Sequence, residues 1–247
     1  MIKLVRAACP SYLTDQKVQA LTDEYKQTGK SVWNKDEIKS PLLDSSHGKC
    51  AYCECSLTKE SNYMEVEHFE DKHHNPDKVV LWENLLPACK KCNGSKSTHD
   101  VIKYPVVNPY EDDPRDHLAM RLYRMRGKTP RGKTAIDVVR LNHSERLVKC
   151  RFDIGEKIAK NLETAWERYK TFRTKQDTRS RNRLIGIVEG MLQECQPQAE
   201  YSASTAATLL SNPDYQRLVE AMETDGIWSD ELEEYHQVAS DLMLDQI

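Results

Sequence analysis

The chain has 247 residues, 38% hydrophobic and 30% charged, with eight cysteines, only three phenylalanines and a formal net charge of −3. That length allows one large domain or two modest ones, and the scarcity of aromatic residues favours a surface-rich, mainly helical protein over a compact β-domain. No apolar run approaches the roughly 18 residues needed to cross a bilayer, Met1–Arg6 lacks an apolar signal region, and the acidic balance excludes a protein that coats nucleic acid through overall basicity.

Residues 1–45 carry two helical signals. Thr14-Asp15 ahead of Val18, Leu21 and Tyr25 gives a capped start with apolar spacing of three to four, and Gly29 marks the stop. Asn34 is placed to cap a second helix bearing Ile38 and Leu42, which Pro41 breaks unless the helix begins there. Residues 46–104 change texture: Gly, Asn, His and Cys punctuate short segments with little helical period. Residues 105–133, rich in Pro and Asp, read as an extended connector with a strand or two, because residues before proline avoid the helical region. From 134 to 247 the pattern is helical. A short helix carries Ile136 and Val139, and Ser144 is placed to cap a long one through Leu147, Ile158 and Tyr169. Another runs from about Arg179 to Leu192, and further helices fall near 203–211, 214–223 and 230–244, with 193–204 as a linker. Basic residues gather in two stretches, Arg115 to Lys133 and Arg173 to Arg183, each a solvated face or a phosphate contact.

The chemistry concentrates in the second segment. Cys50-x2-Cys53 and Cys89-x2-Cys92 are two knuckles able to supply four thiolates to one tetrahedral zinc. Such a site is closed, so the zinc is expected to be structural, and Cys55 falls outside the full set of four. A cytoplasmic chain keeps its thiols reduced, which favours metal binding over disulfides. Between the knuckles lies Glu67-His68. An imidazole near neutral pKa can take a proton from water, and a neighbouring carboxylate can hold a divalent cation. Asn84, Asn93 and Lys96 follow in order. His73-His74 reads as a solvated loop pair or as a contact to substrate.

In the order Glu67-His68, Asn84, Asn93-x2-Lys96, within the two knuckles, the sequence resembles the HNH endonuclease superfamily. That resemblance implies an α+β fold: a ββα-metal HNH module with structural zinc, embedded in a mainly helical protein. Position by position, it implies that Glu67 and Asn93 bind a catalytic Mg²⁺ or another divalent cation. His68 would then be the general base, Asn84 a brace and Lys96 a phosphate contact. In an ideal strand Glu67 and His68 point to opposite faces, so the strand has to end or twist there. The flanking segments Met1–Arg6, Gly48–Glu54, Trp82–Leu85, Asn108-Pro109, Asp112–Pro114 and Leu141-Asn142 with Arg151 are similar to the HNH subunits of two-component anti-phage systems. This implies an ABC-type ATPase partner and a nucleic-acid substrate, DNA ahead of RNA, with no membrane. An RNase, and a zinc module that binds without cleaving, are the alternative readings.

Overall fold

In the computed structural model, which describes residues 1–59 and 63–247, Thr14 opens the first helix by accepting the Lys17 amide. Helix α1 runs Asp15–Thr28 and ends at Gly29, whose φ of 68° only glycine adopts without strain. Helix α2 spans Asp36–Ser45 with Lys35, not Asn34, at its N-cap, and Pro41 lies inside it. A proline there costs about 3 kcal/mol. Ile38 and Leu42 are both wholly buried on the same helix, and two such aliphatic side chains contribute about 1.5–3 kcal/mol each, enough to carry the proline.

The chain then forms β1 (Met64–His68) and β2 (Leu85–Cys89), antiparallel, with Met64 opposite Cys89 and His68 opposite Leu85. Helix α3 (Lys90–Lys96) follows β2 with no intervening residue. Two short 3-10 turns, Pro76–Lys78 and Trp82–Asn84, lie in the connection between the strands. Val66 of β1 packs with Leu21, Ile38, Leu42, Val79, Val80 and Leu85 in one apolar cluster, and this leaves Glu65 and Glu67, at odd positions of the strand, for the opposite face. Helix α4 (Pro114–His117), β3 (Leu118–Arg121), β4 (Arg124–Gly127) and α5 (Pro130–Val138) come next. Helix α5 begins four residues earlier than the sequence suggests, because Thr129 accepts the Gly132 amide as N-cap and Pro130 takes the first helical position.

The molecule divides into two units: Met1–Leu118 with Arg126–Asn142, and Ala119–Met125 with His143–Ile247. In the second unit Ser144 does not cap a helix. It begins a π turn (Ser144–Val148) in which the amides of both Leu147 and Val148 donate to His143 O. Helices α6 (Lys149–Lys175), α7 (Thr178–Gln193), α8 (Ser202–Leu210), α9 (Pro213–Thr224) and α10 (Asp230–Leu242) follow, and β5 (Asp245–Gln246) pairs in parallel with Ala119 and Met120. Their apolar stripes close around Leu162, Leu184, Val188, Leu209, Leu218 and Leu232. The stretch expected to be a linker after α7 is instead a packed turn. Cys195 and Tyr201 are buried, and Gln196 Nε2 donates to Leu192 O (2.9 Å) and Tyr235 O (3.0 Å).

One side chain ties the start of the chain to β2. Arg6 donates from Nη1 to Trp82 O and Leu85 O, both at 2.8 Å, and from Nη2 to Glu83 O at 2.9 Å, while its guanidinium lies 4.0 Å from the Tyr110 ring centre. Two carbonyls of the turn preceding β2 and the first carbonyl of β2 itself are thereby held on one planar fork. Arg6→Ala is expected to lower stability by about 2 kcal/mol, and Arg6→Lys to recover less than half of it, since an ammonium cannot match the fork or the stack. Thermal unfolding of the two variants measures both, and full recovery of stability in Arg6→Lys would assign the effect to charge alone.

Candidate metal centre and catalytic cleft

The first knuckle is a tight turn. Glu54 N donates to Cys50 O and Cys50 N to Cys55 O, each at 2.9 Å, and Glu54 takes a left-handed φ of 64° to close it. Ala51 N reaches Pro87 O at 2.9 Å, which docks the turn on β2. In the second knuckle Cys89 ends β2, caps α3, and accepts the Cys92 amide on its Sγ at 3.5 Å. Together these turns gather the sulfurs of Cys50, Cys53, Cys89 and Cys92, all buried, within 4.8 Å of one another.

A zinc tetrahedron with Zn–S bonds of about 2.3 Å has S···S edges of about 3.8 Å. Cys53 Sγ lies 3.9 Å from Cys89 Sγ. Buried side by side, the four thiols cannot all ionise on their own. Hydrogen bonding with Cys50 pulls Cys53 and Cys89 below the ordinary thiol range, while burial pushes Cys50 up and hydrogen bonding with Cys50 pushes Cys92 up. A divalent metal ion would accept all four as thiolates, and a closed set of four sulfurs suits structural zinc.

A cleft of about 260 Å³ is lined by Glu65, Glu67, His68 and the loop after β1, and by Asn93 and Lys90 of α3. His68 is the last residue of β1, where the strand's alternation ends, so it shares the cleft with Glu67. Its Nε2 lies 2.8 Å from Val79 O. A carbonyl only accepts, so Nε2 carries the proton and Nδ1 is the acceptor. Trp33 meets the imidazole edge to face, with ring centres 4.5 Å apart, and burial lowers the His68 pKa to about 4, which keeps the ring neutral at physiological pH.

Glu67 is buried, and burial raises its pKa to about 7 against the opposing charge of Lys96. Lys96 Nζ lies 2.7 Å from Glu67 Oε1, but its well-aimed bond goes to His68 O at 2.9 Å. Oε1 accordingly has no aligned hydrogen-bond donor, and the Glu67 contact is ionic. Asn93 Nδ2 donates to Glu65 Oε2 at 2.8 Å, joining α3 to β1 across the cleft.

Glu67, His68 and Asn93 are thus brought together. Asn84 is not. Its Nδ2 donates to Glu70 O (3.0 Å) and Lys78 O (3.1 Å), and its Oδ1 accepts Glu70 N at 2.7 Å, so the side chain is wholly engaged in holding the loop after β1. Lys96 departs from the sequence expectation most sharply: its ammonium is buried in the ion pair and offers no surface to a phosphate. The cations that do line the cleft are Lys72 and Lys90. His73 lines it too, whereas His74 turns to Asp71, with Nδ1 2.6 Å from Oδ2, and that hydrogen bond raises its pKa. Glu65 and Trp33 were missed. Glu65 was recoverable, because a strand that aims Glu67 at a cleft aims the residue two before it the same way; Trp33 has no local signal.

Over 233 residues the chain is 45% identical to the Septu protein PtuB of Bacillus thuringiensis, covering 94% of this chain and 90% of that one. It is 27% identical over 217 residues to the Septu protein PtuB of Bacillus mycoides strain KBAB4, covering 66% and 68% of the two chains. No family model and no solved structure matches it.

Cys50→Ser and Cys92→Ser are expected to leave the first unit unfolded or insoluble, since structural zinc supplies on the order of 10 kcal/mol in small zinc domains. Metal analysis of the purified chain should find about one tightly held zinc per molecule. A folded, fully soluble chain free of zinc would refute the assignment.

Proposed function

Since this chain belongs to the family of the Septu protein PtuB, a component of anti-phage defence, we propose that it is a metal-dependent HNH endonuclease that acts with an ABC-type ATPase subunit. The observation that carries the reading is the convergence of Glu67, His68 and Asn93 on one cleft, on elements locked together by the four-cysteine cluster. A protein that only bound zinc and a partner would have no use for a buried neutral imidazole with a fixed tautomer beside a carboxylate.

In this reading His68 Nδ1 accepts the proton of the attacking water. The bond from Nε2–H to Val79 O and the edge contact with Trp33 keep the ring from turning. Glu67 and Asn93, with Glu65 next to them, form an oxygen-rich donor set suited to a hard divalent cation such as Mg²⁺. When bound, such an ion offsets the negative charge that builds on the phosphoryl oxygens. Lys72 and Lys90 draw the polyanion to the cleft. Asn84 touches no reacting atom and acts by fixing the loop that carries Asp71, Lys72 and His73.

His68→Ala should reduce strand cleavage by about 10²–10⁴-fold while zinc content and fold are retained, because it removes a base and not a scaffold group. Asn93→Ala should reduce cleavage with partial recovery at higher Mg²⁺ or Mn²⁺, as a weakened cation site is refilled by mass action. Both are read by incubating the chain, with and without the proposed ABC-type ATPase subunit, with labelled DNA and RNA. Near wild-type cleavage by His68→Ala would move the base elsewhere, with His73 the residue next in reach.

A further inference from the structure

The second unit concentrates basic charge along one seam that the nuclease reading leaves unused. Gln176 and Asp177 turn α7 back along α6, and a concavity of about 420 Å³ is lined by Arg168 and Lys175 from α6 and by Arg179 and Arg183 from α7. Elsewhere in this unit Arg173 pairs with Asp225, Arg217 with Asp214 and Lys149 with Asp153. Lys175, Arg179 and Arg183 lie on no ion pair among the described residues, and Arg168 is drawn across the concavity by its bond to Arg183 O at 2.6 Å. Two carboxylates also line the space, Glu167 and Asp177, and Asp177 is committed as the cap of α7, accepting Ser180 N at 2.7 Å. Four cations against two carboxylates leave the lining net positive, and a polyanion that displaces its counterions gains by their release.

The seam continues past Arg168, which also lines an adjoining groove of about 490 Å³. There Gly186 and Gly190 of α7 leave the floor bare: a Cβ added at either would meet nothing within 4 Å. Lys157 stands on the α6 side, so basic groups border the track from Lys157 to Lys175, a helical rise of about 27 Å. Basic groups at both ends of a track of that length, with Glu194 the one acid of the adjoining groove, suit an extended repeating anion better than a single phosphate.

We propose that the α6–α7 seam is a second nucleic-acid site, in which Arg168, Lys175, Arg179 and Arg183 hold the phosphodiester backbone of the polymer that the catalytic cleft cuts. The identity of the polymer rests on the nuclease reading; the existence of the site does not. The test uses the full-length zinc-loaded chain as wild type, as the triple variant Lys175→Glu/Arg179→Glu/Arg183→Glu, and as Lys30→Glu, a control in the first unit. Each is titrated with fluorescent single-stranded DNA, single-stranded RNA and duplex DNA of about 30 nucleotides across roughly 50–200 mM salt. Wild type and control should bind at least one polymer, with affinity falling steeply as salt rises. The triple variant should bind it about 10–100-fold more weakly, with a log–log salt slope shallower by about 2 to 3. If three reversals lower the thermal midpoint, the neutral pair Arg179→Gln/Arg183→Gln replaces them, with a slope change of about 1 to 2. The tighter polymer distinguishes DNA from RNA as the occupant. Unchanged affinity and slope in the charge variants, or no binding of any polymer by wild type, would overturn the proposal. So would loss of copurification with the ATPase at unchanged nucleic-acid binding, which would make the seam a protein interface. Cleavage by His68→Ala is measured in parallel. No cleavage of any polymer by the wild-type chain would remove the nuclease reading and leave the seam, whereas cleavage abolished in His68→Ala with unaltered binding by the charge variants removes the seam alone.

Discussion

The geometry of the first unit hangs on Cys89. This one residue ends β2, opposes Met64 in the sheet, caps α3 and contributes its sulfur to the cluster with Cys50, Cys53 and Cys92. A two-stranded ribbon and a seven-residue helix have little stability of their own. A metal ion on the four sulfurs would cross-link both to a knuckle docked on β2, and Glu65–Asn93 and Glu67–Lys96 join the same strand and helix.

The Glu67–Lys96 pair is the costlier part of the arrangement. Both charges are removed from water, and breaking such a pair by deleting one partner costs about 3–5 kcal/mol. Lys96 recovers part of that expense by bonding His68 O, so the same ammonium restrains the backbone of the residue beside its ionic partner. With burial holding Glu67 near pKa 7, the carboxylate is poised between a proton, a lysine and any divalent cation that reaches the cleft.

Sequence carried the local features well. Knuckle spacing located the four sulfurs, the Thr14 cap and Gly29 bounded α1, and apolar period located the helices of the second unit, because each of these signals lies within a few residues of the structure it specifies. What it did not carry depends on contacts distant in the chain. Lys96 looks like a free surface cation until α3 is laid on β1. Trp33 becomes a neighbour of His68, and Arg6 a partner of Trp82 and Leu85, only once the first residues fold against β2. The linker expected after α7 failed for a related reason: its polar composition conceals Cys195 and Tyr201, which the adjoining helices bury.

Most of the bonds that shape the cleft end on main-chain atoms. His68 answers to Val79 O, Lys96 to His68 O, Asn84 to the carbonyls of Glu70 and Lys78, and Arg6 to those of Trp82, Glu83 and Leu85. A carbonyl is supplied by any amino acid, so the identity of the acceptor residue is free to drift while the donor's is not. Selection on this architecture therefore falls on a handful of gripping side chains, and much of the surrounding sequence can diverge without moving the imidazole.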